Sequence, residues 1–586
     1  MDESVNQAAG APRPPKKKEL SMELRLLIAF ILMGAVLFTT PYLYKAVAPP
    51  APVKNAATAA QTSNPASKAP AAKPEAAPAL PPAPKQAAAA PAAPPLPASA
   101  TRQHPEPPVV IETDLYKVTF SNHGATVRSW ILKGYKGNDN KPLELTNPAA
   151  PLEFPFSLFF PGVKPQTNVN WAYFTQKPDA DGLGVAYEFS DGHVRVRKSF
   201  RFQKKIHLTH VTSEVTLDGK PVPHLLQWRG GFGDLTVGSP AANQKTIHFD
   251  LDANKLSEQT VSAAKNGPAA SKGNFSFAGL ADTYFTAVFL PEGGAGVEAV
   301  TFSDHAPTPL EKKPESMIGA AVGGAGTNQY TLFVGPKDLH LLQRVNPKLE
   351  QVVNFGWLAF LAKPLFLMVN WFNNSVVHNY GWAIVIVTIF INFALFPLKI
   401  SSMKSMRKMQ ALQPQIAAIN DKYKNVGLRD PRKAEQNQEV MELYKKHGVN
   451  PMGGCMPMLL QIPFFFAFYT VFTVAAEMRG ASWLWVTDLS QPEHLAIKIL
   501  PITMIASQFW MQKMTPQANT DPAQQRMMMM MPLVFGFMFY NFPSGLVLYY
   551  LTSNLVSIGQ QWFFNHTSVA AEAARSVQVK KKNGRK

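Results

Sequence analysis

The sequence predicts a membrane protein. Its parts are an α-helical core of six transmembrane helices with both termini inside (N-in/C-in), an outer all-β sandwich domain and a cytoplasmic helical hairpin. Three observations lead there. Residues 378–564 hold five long apolar stretches and a sixth lies at 24–44; an apolar run of about 20 residues spans a bilayer as a helix. Residues 109–350 alternate apolar and polar residues between Gly-containing breaks, the pattern of half-buried strands. The clusters of Lys and Arg all fall on one side of the spans, which the positive-inside rule makes the cytoplasmic side.

Taken in order, residues 1–23 form a cytoplasmic tail with Arg13, Lys16, Lys17 and Lys18. The run at 24–44 reads as an uncleaved signal anchor, because its apolar core is long and Thr39-Thr40-Pro41-Tyr42 is a poor small-residue cleavage site. Residues 45–108 are dominated by Ala and Pro. They bury too little apolar surface to offset ordering and read as an extended, disordered linker. In the outer domain, 109–350, Tyr116, Val118 and Phe120 alternate with polar residues, and so do Val194 and Val196 with Arg195 and Arg197. A large antiparallel sandwich is expected. Its histidines lack metal-ligand spacing, so neither a metal nor a cofactor is expected.

Residues 351–377 are apolar, but Lys363-Pro364 interrupts them and Trp357 and Trp371 flank the break. A span there would carry the following basic loop outside, so the segment reads as an amphipathic helix lying in the outer interface. The five core spans read as 379–398, 454–476, 494–514, 527–542 and 545–564. Between the first two, 399–449 reads as a cytoplasmic hairpin of helices at 401–421 and 432–447. Met403, Met406 and Met409 recur every three residues there, beside Lys404, Arg407 and Lys408. A flexible, polarizable stripe suits varied apolar partners; packing of one hairpin helix on the other explains it equally. The tail, 565–586, ends in Lys580, Lys581, Lys582, Arg585 and Lys586.

The formal net charge is +18. Its clusters adjoin apolar spans, which favours anionic lipid over nucleic acid, for which no recognition motif is present. The single cysteine, Cys455, rules out an internal disulfide framework and reads as a small apolar residue. Hydrolase, metalloprotease and nucleotide-binding motifs are missing from the sequence. The Ser401/Lys404 and Ser405/Lys408 spacings match a Ser/Lys nucleophile pattern only formally, without companion motifs. An enzyme is not expected; handling of polypeptides or lipids is.

Several polar residues lie within the spans. Thr388, Asn392 and Lys399 share one helical face, and Tyr550, Asn554, Ser557 and Gln561 share another. Gln461 lies in the 454–476 span, and Ser507, Gln508 and Gln512 in the 494–514 span. Polar groups in hydrocarbon are costly unless paired or wetted. Interhelical hydrogen bonds, worth about 0.6 kcal/mol each, and a shared water-filled groove are both open readings.

The stretch NPMGGCMPMLLQIPFFFAFY at 450–469, FPSGLVLYY at 542–550 with Ser553-Asn554-Leu555, and Gln413-Pro414 after the methionine stripe closely resemble the YidC family of membrane-protein insertases. The long outer domain is similar in arrangement to the Gram-negative branch. The resemblance implies insertion and folding of inner-membrane proteins, alone or beside the Sec translocon, without a nucleotide. It implies a groove open to cytoplasm and lipid, lined here by Thr388, Asn392, Lys399, Gln461, Ser507, Tyr550, Asn554 and Ser557. A client's hydrophilic tail would enter it while its apolar span leaves along 454–476 and 527–542. It also implies a periplasmic location for 45–375, a substrate-receiving hairpin with Met403, Met406, Arg407 and Met409, and a basic tail that touches the ribosome. One departure stands out. The family usually has an arginine shortly before the Pro-Leu pair of the 379–398 span, and Asn392 occupies that place here. The groove is then expected to work mainly by hydration, with Lys399 near its rim. The competing readings are a secondary transporter, against which the lack of an internal repeat counts, and a non-catalytic envelope-assembly scaffold.

Overall fold

The computed structural model describes residues 104–150, 152–237, 240–292, 296–309, 314–424, 430–449, 456–514 and 522–583. The expected N-terminal tail, the anchor at 24–44, nearly all of the linker, the first residues of the 450–469 stretch and the last three residues of the basic tail lie outside these. Two compact units are present, and Ile419–Met441 belongs to a different one from Pro94–Ala418 and Glu442–Lys586.

The outer domain contains three antiparallel sheets of four, ten and five strands among the described residues. The largest begins at the edge strand Lys255–Gln259 and ends at Thr175–Pro178. Two long neighbours near its middle, Val194–Phe202 and Leu208–Leu217, pair from Val194 opposite Leu217 to Phe202 opposite Thr209. Strict alternation turns Val194, Val196, Phe200 and Phe202 into the core, because successive strand side chains point to opposite faces.

The same period turns Lys198 inward. It is fully buried and its Nζ donates to the carbonyls of Gly124 and Phe156 at 2.7 Å each, with the carbonyl of Ala125 at 3.4 Å. Ala125 and Phe156 have left-handed backbones, φ 49° and 70°, which side-chain-bearing residues adopt at a cost. The ammonium therefore ties down two strained corners from inside the sandwich. Burial pushes its pKa down to about 7 from the ordinary 10.5.

The chain leaves the sandwich through α1, Leu339–Val345, capped by Asp338, which accepts from the Leu341 N–H at 2.8 Å. Helix α2, Ala359–Phe372, follows. Its Ala362, Leu365, Phe366 and Val369 are buried while Phe360, Leu367, Met368 and Trp371 are exposed. A left-handed residue, His378 at φ 50°, turns the chain, and Asn379 caps α3, Tyr380–Ala394. The segments Gly356–Val377 and Tyr380–Ala394 meet at a bend of 118°. Then come α4 (Phe396–Ala411), α5 (Gln413–Lys422), α6 (Arg432–Lys446), α7 (Met456–Val474), α8 (Ile499–Met514), α9 (Pro522–Phe539) and α10 (Ser544–Asn583). Among the described residues no single helix is long and apolar enough by itself to cross a membrane; the bent pair passes that test together.

The expected helix at 401–421 is two helices. It starts earlier, at Phe396, because Pro397 fits the first turn of α4, and it breaks at Leu412 ahead of Gln413-Pro414. Within Ile419–Met441, Glu439 accepts from Lys422 Nζ at 2.5 Å and from the Tyr423 hydroxyl at 2.9 Å, and Gln436 donates to Asn420 Oδ1 at 2.6 Å.

One apolar cluster joins sandwich and helices: Phe249, Phe277 and Phe333 belong to it with Phe366, Phe468 and Leu546. A buried ion pair reinforces the junction. Arg479, just past α7, pairs with Asp234, with side chains 5% and 3% exposed. The guanidinium also donates to the Lys136 carbonyl at 3.1 Å and lies 5.2 Å from the Tyr284 ring centre. Beside it the Leu339 N–H donates to Glu477 Oε1 at 3.2 Å.

Two predictions follow from these contacts. The unfolded chain holds the Lys198 proton up to pH 10.5 and the folded chain only to about 7, so unfolding free energy rises with pH across that window. Thermal unfolding of the full chain between pH 7 and 9 shows this rise, and Lys198→Met flattens it. Removing one partner of a buried pair strands the other, so Arg479→Ala costs about 3–5 kcal/mol, seen as a lower denaturation midpoint and faster proteolysis at the junction.

Candidate functional site

The polar residues of the helical core meet around one lysine. Thr388 and Asn392 lie one turn apart on α3 and are buried. Each bonds back along its own helix, Thr388 Oγ1 to the Ile384 carbonyl at 2.7 Å and Asn392 Nδ2 to the Thr388 carbonyl at 2.8 Å. That leaves Asn392 Oδ1 as an acceptor facing inward. Lys399 Nζ donates to it at 2.6 Å, to Ser557 Oγ at 3.0 Å and to Gln560 Oε1 at 3.4 Å. Ser553 Oγ lies 3.3 Å from the same Asn392 oxygen, and Gln560 Nε2 donates to the Asn392 carbonyl at 3.1 Å. From α7, Gln461 Nε2 reaches Ser553 Oγ at 3.1 Å and the Tyr549 hydroxyl at 2.6 Å. Four helices, α3, α4, α7 and α10, thus share one hydrogen-bonded cluster.

The sequence expectation put Lys399 on the face of Thr388 and Asn392, near the rim of a groove. Its side chain lies directly against Asn392. Helical side chains lean toward the N-terminus of their helix, and α4 begins anew after the break at Leu395, so Lys399 is aimed back at the end of α3. Lys399 is 6% exposed, and among the described residues no carboxylate lies within ion-pair distance of its ammonium.

A second contact joins α8 to α10, where Asn554 Nδ2 donates to Ser507 Oγ at 3.0 Å and Ser507 donates to the Met504 carbonyl at 2.7 Å. Tyr550 turns toward α9, its ring 5.0 Å from that of Phe539. The expected face of α10 therefore serves two sides: Ser557 meets Lys399 of α4, whereas Asn554 meets α8. Offsets of three and four depart from a common line by 60° and 40° in opposite senses, enough to reach different neighbours. Ser553, Gln560 and Tyr549 were not among the expected site residues. Ser553 and Gln560 flank Ser557 at four and three residues, a spacing that could have found them.

On α4, Met409 is buried and Met403 and Met406 are half-buried. Arg407 is engaged with α10: its guanidinium lies 4.8 Å from the Phe564 ring centre and donates to Asn565 Oδ1 at 3.1 Å. In the described conformation the core's polar side chains largely bond one another, the first of the two open readings.

Comparison with known proteins gives this arrangement a family. Residues 371–571 match the 60Kd inner membrane protein model and residues 108–368 match the YidC periplasmic domain model. A membrane protein insertase YidC of Syntrophus aciditrophicus is 33% identical over 578 residues, covering 93% of this chain and 99% of the relative. The chain belongs to the YidC membrane protein insertase family. The YidC of Geobacter metallireducens is 35% identical over 584 residues, covering 94% of this chain and all of the relative, and that of Geobacter sulfurreducens is 36% identical over 493 residues, covering 79% and 87%. A crystal structure of an active YidC insertase with its first transmembrane domain resolved is 19% identical, covers 79% of this chain and 94% of that chain, and has a TM-score of 0.35. As a YidC family member, the chain is an inner-membrane protein with a periplasmic β-rich domain, and an insertase rather than an enzyme or a transporter.

The Gln461–Tyr549 bond gives a direct check on the cluster. Gln461→Leu and Tyr549→Phe each lower the unfolding midpoint slightly, and together they lower it by less than the sum. The expected coupling is about 0.6–1.7 kcal/mol, the range for hydrogen bonds between membrane helices, measured by a double-mutant cycle in detergent.

Proposed function

We propose that this YidC family member inserts and helps fold inner-membrane proteins by admitting a client's hydrophilic tail to the cluster around Lys399 and Asn392. The client's apolar span leaves along α7 and α9. The chain crosses the membrane six times with both termini in the cytoplasm, and 45–375 is periplasmic. The segment 351–377 lies in the outer interface, the hairpin at 399–449 receives clients, and the basic tail at 565–586 meets the ribosome. The Sec translocon is a partner for some clients.

The observation that carries this reading is a buried ammonium in the helical core with no carboxylate within ion-pair distance among the described residues. Lys399 is held by Asn392 and Ser557 at 2.6 and 3.0 Å, all neutral partners. A buried cation without a counter-ion attracts an acidic group strongly. It supplies at Asn392 the positive charge that hydration alone was expected to replace. The closed cluster is then a resting state. Interhelical bonds of about 0.6 kcal/mol each exchange readily for water and for the polar groups of a client tail.

Insertion of a two-span client with an acidic tail by the purified protein in liposomes tests the reading. Lys399→Met lowers insertion about tenfold or more, as loss of a desolvated charge pair implies, while Lys399→Arg retains most of it. Asn392→Leu also lowers insertion and impairs growth of a strain depleted of its own insertase. Asn392→Arg restores insertion in the Lys399→Met background. Parental insertion by both Lys399→Met and Asn392→Leu would remove the cluster from the client path.

A further inference from the structure

A cavity of about 640 Å³ lies where the β domain meets α2, lined by Leu256, Glu258, Glu350, Phe355, Ala359 and Lys363 among others. Its size is that of small-molecule sites, about 300–1,000 Å³. Its walls are mixed. Leu256, Phe355 and Ala359 are apolar, and the ionic groups are Glu258, Glu350 and Lys363, with Lys245 bonded to Glu258, so carboxylates and ammoniums balance. Glu350 pairs with Lys363 and accepts from Gln343 Nε2 at 2.6 Å. Glu258 accepts from Lys245 Nζ at 2.6 Å. An ionised carboxylate has about four acceptor positions, so both retain capacity for a further donor.

The position of the cavity on α2 selects its ligand. Ala359 and Lys363 are four residues apart on one flank. Phe360 and Leu367 lie on the adjoining face, with Trp371 beyond them. Phe360 is 74% exposed and Trp357, just before the helix, is 79% exposed. Such large apolar groups next to charge mark the depth at which headgroups meet acyl chains. The cavity therefore opens beside a lipid-contacting face.

We propose that this cavity binds the headgroup of an amine-bearing zwitterionic phospholipid at the periplasmic surface. The ammonium sits between Glu258 and Glu350, the phosphodiester meets Lys363, and the acyl chains pass over Phe360 and Trp357. A wall that carries both signs in balance favours a zwitterionic headgroup over a net-anionic glycerol headgroup, and Lys363 favours a phosphodiester over a simple amine. The inference rests on the placement of α2 at the outer interface and is independent of the Lys399 cluster.

Native mass spectrometry of the full chain released from nanodiscs of mixed phosphatidylethanolamine and phosphatidylglycerol tests it. One ethanolamine lipid is retained per chain, with about a tenfold preference, the equivalent of one charge-assisted bond. Glu258→Gln removes the preference. Ala359→Phe, which crowds the α2 wall of the cavity and leaves its charges, removes retention with the unfolding midpoint kept. Equal retention of the two lipids, or retention unchanged in both variants, overturns the proposal. Displacement of the lipid by water-soluble glycerophosphoethanolamine at equal concentration overturns the lipid source and assigns the cavity to a soluble phosphoamine. A co-retained peptide in place of lipid overturns it in favour of strand pairing at the Lys255–Gln259 edge. Because insertion plays no part in the readout, failure here is distinct from failure of the client-path reading.

Discussion

A single ammonium among neutral oxygens organises the helical core. Lys399 draws in Asn392 from α3 and Ser557 and Gln560 from α10, and Gln461 ties α7 to the same group through Ser553. A charge in a poorly polarizable medium must be surrounded by dipoles or be neutralised. Here dipoles do it. They balance the charge without cancelling it, so the core is stable at rest and keeps an attraction for an anion. A carboxylate of the chain's own in that place would give a firmer core and an inert one.

Much of the architecture was legible because it follows from short periods. Alternation of two exposed the strands, and runs of apolar residues exposed the helical core. The stretches at 450–469 and 542–550 carried the resemblance to the family. What stayed hidden depended on distance along the chain. Lys198 occupies an inward strand position where a lysine reads as an error, and only the carbonyls of Gly124 and Phe156, brought in from turns elsewhere in the chain, explain it. Arg479 is one arginine in an outer loop, and its partner Asp234 lies 245 residues away.

The site was legible in its membership more than in its geometry. Asn392, Lys399, Gln461 and Ser557 do converge. Lys399 was placed on the face of Asn392 but near the rim, whereas its ammonium reaches back onto Asn392 itself. The break at Leu395 and the backward lean of helical side chains together decide where the ammonium goes. The face of α10 was drawn as one stripe, yet Asn554 and Ser557 serve different neighbours, since a stripe built from offsets of three and four is broad.

The Arg479–Asp234 pair fixes the end of α7 to the folded β domain. A rod held firmly at one end behaves as a cantilever, and its deflection grows away from the anchor. Gln461 lies in the half of α7 farther from Arg479. Bending of α7 therefore displaces Gln461 relative to α10 before it disturbs the seam with the β domain, so the protein loosens asymmetrically, starting at the Gln461 bonds.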